Sequence, residues 1–361
     1  MTCLTGGTID VTVHEMLEDG RVRELYKATG GAWGGNKVDE AFVKYFCDIF
    51  SKKVINKIQE EFPTDWIDMM RDFEQIKRKI SLKNPDDIFR IMLRPCVKEV
   101  YLDVMNGSLQ SIFNGDFDIK TRGASLDRYK LQIPQLVISE MIEEVAKSIS
   151  AHTTFLLQQR ENAGINLVVM VGGFSSSPIV VQEVRKHVSS YIPVIVPENP
   201  ELSVVQGAVM FGWKPRMLKS RKSKRTYGIA ARKYFRDNID PERLMVYDDD
   251  NVKRCYNRFD KLVSVNEDVE IDQIVTRQYS PVIHNQLAMT FTIYESENSD
   301  VTYCDEPGTR KLGTITVPMT NTTGDKNRAV EVYVRFGDTE FFVTCKDVTT
   351  GVIASASYDF L

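Results

Sequence analysis

The sequence predicts an α/β region followed by an all-β region, and three observations support this division. Up to about residue 213, helical patterns alternate with short strands that run into glycine turns. From Thr226 onward, hydrophobic and polar residues alternate, and turn residues separate the runs. Between these regions, Lys214–Arg225 contains seven basic residues and no acidic one. The predicted order is an α/β domain (residues 1–213), a basic linker (214–225) and a β-sandwich (226–361).

The composition is that of an ordinary globular protein and argues against several classes. The 361 residues are enough for two or three domains. A net charge of −4 gives no reason to expect nucleic acid or an anionic membrane as the main partner. Six scattered cysteines without a C-x-x-C pair predict reduced thiols and no metal site. Neither a signal peptide nor a membrane-spanning run is visible, so the cytoplasm is the expected location.

The chain opens on a glycine turn that leads into a hairpin. Gly6 and Gly7 precede a strand in which Thr8 and Asp10 alternate with apolar residues, and residues 18–20 predict the hairpin turn. Paired glycines let backbone N–H groups approach an anion, and the Thr8 hydroxyl and Asp10 carboxylate would lie beside it. We therefore expect a phosphate-binding turn, with no strand leading into it.

Three helices are expected in the rest of the first 160 residues. The first follows the glycine-rich loop at residues 30–35 and ends near Pro63, the second covers about Asp65–Ser81, and the third about Ile138–Arg160. Four polar residues on the second helix recur at spacings of three and four, and so share one face: Glu74, Lys77, Arg78 and Ser81. This stripe could grip an adenosine, or it could be an ordinary solvent-facing ion pair.

A second glycine turn follows the buried strand around residues 168–171. Gly172 and Gly173 come next, and Ser177-Pro178 has the form of a helix N-cap followed by proline at the first helical position. The helix start could hold a phosphate, and the glycines would let a flat base lie against the backbone. The turn could equally be a simple strand-to-helix connection. A later helix contains Gly207-Ala208, a pair that would allow close backbone packing.

The basic run Lys214–Arg225 has two interpretations. Charge repulsion would keep it extended and solvated, which suits a linker between domains. Such a cluster could also serve nuclear import or bind nucleic acid, but no aromatic side chain is interleaved with it for base stacking. We therefore expect a linker and no nucleic-acid partner.

Taken in their order along the chain, the motifs resemble the second lobe of the actin-like ATPases, and in particular the 70-kDa heat-shock chaperones. They are the Gly-Gly-Thr-x-Asp hairpin at residues 6–10, F-E-x-x-K-R-x-x-S at 73–81 and V-G-G-F-S-x-x-P at 171–178. Residues 226–228, 259–263, 290–295, 311–313 and 347–351 are similar to landmarks of the chaperones' peptide-binding sandwich. The resemblance covers nearly the whole chain.

This resemblance implies an adenine-nucleotide site, with ATP or ADP as cofactor and Mg²⁺ when the nucleotide is bound productively. Thr8 and Asp10 would lie near phosphate and metal, with Asp10 reaching the metal through water. The implied cofactor-binding residues are Gly6, Gly7, Thr8, Asp10, Glu74, Lys77, Arg78, Ser81, Gly172 and Gly173. The family's clients are proteins or peptides, which the β-sandwich would bind.

The sequence also departs from the family in ways that argue against an efficient ATPase. It has no counterpart of the first lobe, and Cys3 and Thr5 stand where relatives have an aspartate and a glycine. Phosphoryl transfer needs charge stabilisation from several sides. We therefore expect no catalytic residue and negligible hydrolysis in a divergent, chaperone-like ATP-binding protein. The alternative is a non-catalytic interaction module, in which the β-sandwich binds a partner and the nucleotide lobe is a scaffold.

Overall fold

The computed structural model describes residues 2–4 (backbone only), 6–80, 84, 86–113, 121–337 and 339–360. Its contacts divide the chain into two compact units. Unit one comprises Met1–Thr12 and Ala28–Trp213, and unit two comprises Val13–Lys27 and Lys214–Leu361. The second half of β2 (Ile9–Met16), the hairpin turn and the first part of β3 (Val22–Gly31) are therefore assigned to unit two, and the outer ends of both strands to unit one.

The described residues form a mixed α/β protein with several sheets and seven α-helices. In chain order, the elements up to Trp213 are β1 (Thr2–Leu4), β2 (Ile9–Met16), β3 (Val22–Gly31), α1 (Gly35–Phe50), α2 (Lys52–Glu61), α3 (Pro63–Lys79), β4 (Ile88–Met92), α4 (Pro95–Met105), β5 (Ser125–Asp127), β6 (Lys130–Pro134), α5 (Gln135–Leu157), β7 (Val168–Val171), α6 (Pro178–His187), β8 (Val194–Ile195) and α7 (Ser203–Trp213). The remaining elements are β9 (Leu218–Lys222), β10 (Thr226–Tyr234), β11 (Met245–Tyr247), β12 (Lys253–Val263), β13 (Asp268–Glu270), β14 (Ile274–Tyr279), β15 (Ala288–Ser296), β16 (Thr309–Pro318), β17 (Val330–Phe336), β18 (Glu340–Asp347) and β19 (Ile353–Asp359).

A short strand precedes the opening glycine turn, so the expectation of none was wrong. β1 pairs antiparallel with β2, where Cys3 lies opposite Asp10, and parallel with β7, where Cys3 lies opposite Val171. Three residues are enough for this strand because a neighbour on each side supplies hydrogen-bond partners for its backbone. The pairing places the opening turn at the same edge of the sheet as the turn that begins at Gly172.

The single helix predicted between the glycine-rich loop and Pro63 is in fact two helices, α1 and α2. Ser51 separates them with φ +76° and ψ 147°, and its hydroxyl accepts a hydrogen bond from the Val54 N–H at 3.4 Å. Buried apolar side chains continue on both sides of the break: Phe42, Phe46, Phe50, Val54, Ile55 and Ile58. Hydrophobic spacing therefore predicted one helix where a polar Ser-Lys-Lys segment ends the first and starts the second.

The other two helices of this region lie where they were expected, as α3 and α5. α3 ends at Lys79, and Ser81 lies outside the described residues. A small sheet with the order β4-β6-β5, together with α4, occupies residues 88–134, where no element was expected. No helix in the described ranges combines the length and the apolar character needed to cross a membrane.

Helix α7 lacks the close packing that Gly207-Ala208 predicted. None of its residues is buried, and a Cβ added to Gly207 would meet no atom within 4 Å. Several large apolar side chains of this helix are exposed instead: Val204, Val205, Val209, Met210 and Trp213. Among the described residues, no close backbone contact accounts for a glycine at position 207.

Unit two is built from strands, as the alternating pattern predicted. Its two larger sheets are antiparallel and have the orders β11-β12-β10-β15-β16 and β14-β17-β18-β19. Buried side chains from both sheets form one hydrophobic cluster, which includes Ile229, Phe291, Val317, Val332, Val334 and Phe341. Alternate residues along each strand are buried, which explains why a period-two hydrophobic pattern could be recognised in the sequence.

Part of the basic run forms strand β9, although the run was expected to be solvated. Leu218 lies opposite Val22 in a parallel pairing with β3, and β13 pairs antiparallel on the other side of β9. Ser220 is 3% exposed. Since alternate residues of a strand face opposite sides, a serine can be buried between basic side chains that point elsewhere.

Candidate functional site

The opening glycine turn packs directly against the start of α1. The Asn36 N–H donates to the Gly6 carbonyl at 2.6 Å. A Cβ added to Gly34 would lie 2.5 Å from the same Gly6 oxygen, so only glycine permits this approach of the two backbones. The glycine-rich loop at residues 30–35 therefore supports the predicted phosphate turn, a role that the sequence analysis did not assign to it.

Gly35 is the point at which the three predicted site motifs meet. A Cβ added there would lie 3.5 Å from Lys77 Nζ, 3.8 Å from Phe174 Cδ2 and 3.9 Å from Gly6 Cα. These atoms belong to α3, to the turn that follows β7 and to the opening turn. Segments that are far apart in the chain thus converge on a glycine to which the sequence analysis assigned no role in the site.

The opening turn presents its polar groups to solvent. Gly6, Gly7, Thr8 and Asp10 are all exposed, and the Thr8 hydroxyl donates to the Asp10 carboxylate at 3.1 Å. No group of three or more metal-ligating side chains occurs among the residues that the structure describes. A lone carboxylate fits a hydrated Mg²⁺ that is held mainly by phosphate oxygens, rather than a metal caged by the protein. Thr5 and the side chain of Cys3 lie outside the described residues.

The predicted polar stripe on α3 is divided between the interior and the solvent. Lys77 is buried, with its Nζ 2.7 Å from Asp39 Oδ1 and 2.6 Å from Glu74 Oε2. Arg78 Nη2 lies 3.0 Å from Glu74 Oε1, and its side chain is 71% exposed. Consecutive helix residues point about 100° apart, which explains how neighbouring cations reach such different surroundings. The stripe is therefore not the single open face that was expected.

Burial and ion pairing act in opposite directions on the two carboxylates that contact Lys77. Burial raises the pKa of Asp39, although the Lys77 ammonium opposes this. For Glu74, burial would raise the pKa, but the hydrogen bonds and charges of Lys77 and Arg78 outweigh it and lower the pKa. The two acids differ because Arg78 further lowers the pKa of Glu74, whereas the nearby Glu74 charge further raises the pKa of Asp39.

The second glycine turn combines a glycine at positive φ with a glycine that is open to solvent. Gly172 has φ +90°, which favours glycine, and its N–H donates to the Pro200 carbonyl at 2.7 Å. Gly173 is exposed, and a Cβ added to it would meet no atom within 4 Å. Ser177 precedes α6, with Pro178 as the first helical residue, but its side chain makes no capping bond. The expected boundary is correct, whereas the expected side-chain cap is absent.

Comparison with known proteins found relatives but no family model that matches the chain. The chain is 31% identical to heat shock 70 kDa protein 12A of Mus musculus and 28% identical to heat shock 70 kDa protein 12B of Homo sapiens. Each of these alignments covers 99% of the chain and 53% of the relative, so the chain spans about half the length of the curated relatives that it matches. Chaperone protein DnaK of Thermoplasma volcanium is 23% identical over 58% of the chain.

Proposed function

We propose that this chain, which is related along nearly its whole length to heat shock 70 kDa proteins 12A and 12B, is a divergent chaperone-like protein that binds ATP or ADP in unit one. The observation that carries the proposal is the convergence at Gly35 of the opening turn, α3 and the turn after β7. The two larger sheets of unit two would form a β-sandwich that takes protein or peptide clients. A cytoplasmic location is part of the same proposal.

Each part of the site has a role in this proposal. The exposed backbone of Gly6 and Gly7 would hold phosphate oxygens, with the Thr8 hydroxyl and the Asp10 carboxylate beside them. The open surface at Gly173 would accept the flat face of the adenine base. Mg²⁺, when bound with the nucleotide, would neutralise charge on the phosphate oxygens, and Asp10 would contact it through water.

Gly173 offers a direct test, because the space above it is open. We expect Gly173→Val to weaken ADP binding at least about tenfold, since its side chain would cover the proposed base surface from a Cβ that meets no protein atom within 4 Å. Isothermal titration calorimetry with ADP measures the loss, and the melting temperature should be unchanged. Gly164→Val is the matched control, because Gly164 is also exposed and open but lies outside the site. Equal ADP affinity in both variants contradicts the proposal.

We further expect negligible ATP hydrolysis by the 361-residue chain. Asp10 provides one carboxylate at the turn, and the Lys77 ammonium is engaged by two acids, so little charge stabilisation is available for phosphoryl transfer. Phosphate release should equal the buffer background. Turnover above that background that disappears in Asp10→Ala contradicts this expectation.

Lys77 is paired with Asp39 and Glu74 and so is not available to a nucleotide. This pairing favours a second candidate function, a non-catalytic interaction module with unit one as its scaffold. A chain of this kind would bind a protein partner without measurable affinity for ADP. Calorimetry on the intact wild-type chain separates the two candidates, because only the first predicts a saturable heat of ADP binding. Loss of the partner through surface substitutions in unit two, with no effect of ADP, would favour the second.

A further inference from the structure

Lys77 has the hydrogen-bonding pattern of a structural cation. Its side chain is 7% exposed, and its ammonium lies 2.7 Å from Asp39 Oδ1 and 2.6 Å from Glu74 Oε2. The third acceptor is the backbone carbonyl of Gly35, at 3.3 Å. An ammonium has three N–H donors, and here each has an acceptor within the protein. A nucleotide could bond to Lys77 only by displacing one of them.

These three acceptors lie on the two helices that meet beside the opening turn. Asp39 and Gly35 belong to the first turns of α1, and Glu74 lies one turn before Lys77 on α3. Gly35 is also the residue on which the opening turn converges, and its neighbour Asn36 donates to the Gly6 carbonyl. The position of the Lys77 ammonium is therefore coupled to the backbone that supports Gly6.

We propose that Asp39 is a positioning residue that holds the Lys77 ammonium on the Gly35 carbonyl and so fixes the Gly34–Gly35 backbone against the opening turn. Lys77 then acts on the nucleotide site through this glycine backbone and does not contact the nucleotide. The inference rests on the proposed function, because the turn matters as a binding surface only if it takes a nucleotide. It reassigns Lys77 from an adenosine contact to a support.

A double-mutant cycle in ADP binding distinguishes support from direct contact. Asp39→Asn keeps the shape of the side chain and removes the charge that holds Lys77, and Lys77→Met removes the ammonium. If Asp39 acts through Lys77, each variant weakens ADP at least about tenfold, and the double variant is no weaker than either one. If Lys77 contacts the nucleotide directly, Asp39→Asn frees the ammonium and leaves ADP affinity unchanged or higher, which overturns the proposal.

Glu40→Gln is the matched control, because Glu40 lies on the same helix and pairs with Lys37 at the surface. It should leave ADP affinity unchanged. Asp39→Glu restores the carboxylate and should recover part of the lost affinity, whereas a general defect in packing would not respond to charge. Melting temperatures of all variants identify any that fail to fold.

Hydrogen exchange at Asn36 tests the inference independently of nucleotide. Asp39→Asn should speed exchange of the Asn36 amide in the absence of ADP, because the Gly6 carbonyl to which it donates loses a fixed neighbour. Glu40→Gln should not. If the wild-type chain does not bind ADP, the proposed function is wrong, and exchange at Asn36 still decides whether Asp39 fixes the glycine turn. Unchanged exchange in Asp39→Asn overturns the inference.

Discussion

At the scale of single residues, the surroundings of His284 favour its charged form. Its Nε2 lies 2.9 Å from Asp250 Oδ1, its Nδ1 contacts the Asp325 carboxylate, and its backbone N–H donates to Asp249 at 2.7 Å. A neutral imidazole has one N–H, so both ring nitrogens can donate only when the ring is protonated. Hydrogen bonds to Asp250 and Asp325 therefore raise the pKa of His284. Lys326, which contacts Asp250 at 2.6 Å, acts against this shift.

We expect His284 to titrate above the ordinary histidine value of 6.5 and His152 below it, because burial lowers the pKa of His152. The contribution of His284 to stability is then complete below pH 6.5 and is lost as the pH rises through its folded-state pKa. NMR titration of the ring protons measures both values, with His284→Gln and His152→Gln for assignment. Asp250→Asn should lower the pKa of His284, and Asp237→Asn is the control. A His284 value at or below 6.5 contradicts the prediction.

At the scale of elements, the break between α1 and α2 depends on one unusual backbone conformation. With φ +76° and ψ 147°, Ser51 occupies a region that is almost confined to glycine. Its hydroxyl compensates in part by accepting from the Val54 N–H, which starts α2. The break allows the buried faces of both helices to continue in the same core.

We expect Ser51→Gly to raise the free energy of unfolding of unit one by about 1 kcal/mol. Glycine relieves strain of about 1–3 kcal/mol, whereas replacing serine by glycine at an N-cap costs only a few tenths. Ser51→Ala keeps the strain and loses the cap, so it should lower the free energy of unfolding by about 1 kcal/mol. Urea denaturation followed by tryptophan fluorescence measures both changes, because Trp33, Trp66 and Trp213 all lie in unit one. Equal destabilisation by both substitutions would argue against strain at Ser51.

At the scale of the whole molecule, the units do not follow the order of the chain. Val13–Lys27, from the first hairpin, belongs with the residues after Trp213. Within unit two, Glu24 is 7% exposed and accepts a hydrogen bond from the Lys222 backbone N–H at 3.0 Å. This contact joins β3 to β9, and it spans 198 positions of sequence.

We expect Glu24→Ala to destabilise unit two by about 1–3 kcal/mol, because it removes the charged acceptor of the partly buried hydrogen bond from the Lys222 N–H. Hydrogen exchange of residues 218–223, measured by mass spectrometry, should become faster. Glu24→Gln retains an acceptor oxygen and should have a smaller effect. Glu15→Ala, which removes an exposed partner of Arg23 on the same hairpin, is the control. If the amides of residues 218–223 exchange at the same rate in Glu24→Ala and in Glu15→Ala, the hydrogen bond between Glu24 and Lys222 does not hold β9 in place.

The sequence by itself determined the local elements and the similarity to heat shock 70 kDa proteins 12A and 12B. Periodicity and turn residues act over a few neighbouring positions, so elements that depend on them could be predicted. These are the first hairpin, α3, α5, the β7–α6 turn and the alternating strands of unit two. The motifs at residues 6–10, 73–81 and 171–178 pointed to the same relatives that the comparison found over 99% of the chain.

Only the tertiary structure decided which of these elements meet and what their side chains contact. Local spacing predicted that Lys77 lies on a polar helix face, but its side chain is buried and its ammonium donates to Asp39, 38 positions away, and to the Gly35 carbonyl. Likewise, β1 and β9 are too short to be predicted from a hydrophobic pattern. They form because neighbouring strands complete their backbone hydrogen bonds. Such partners are chosen by packing between distant segments, which the pattern of a single segment does not encode.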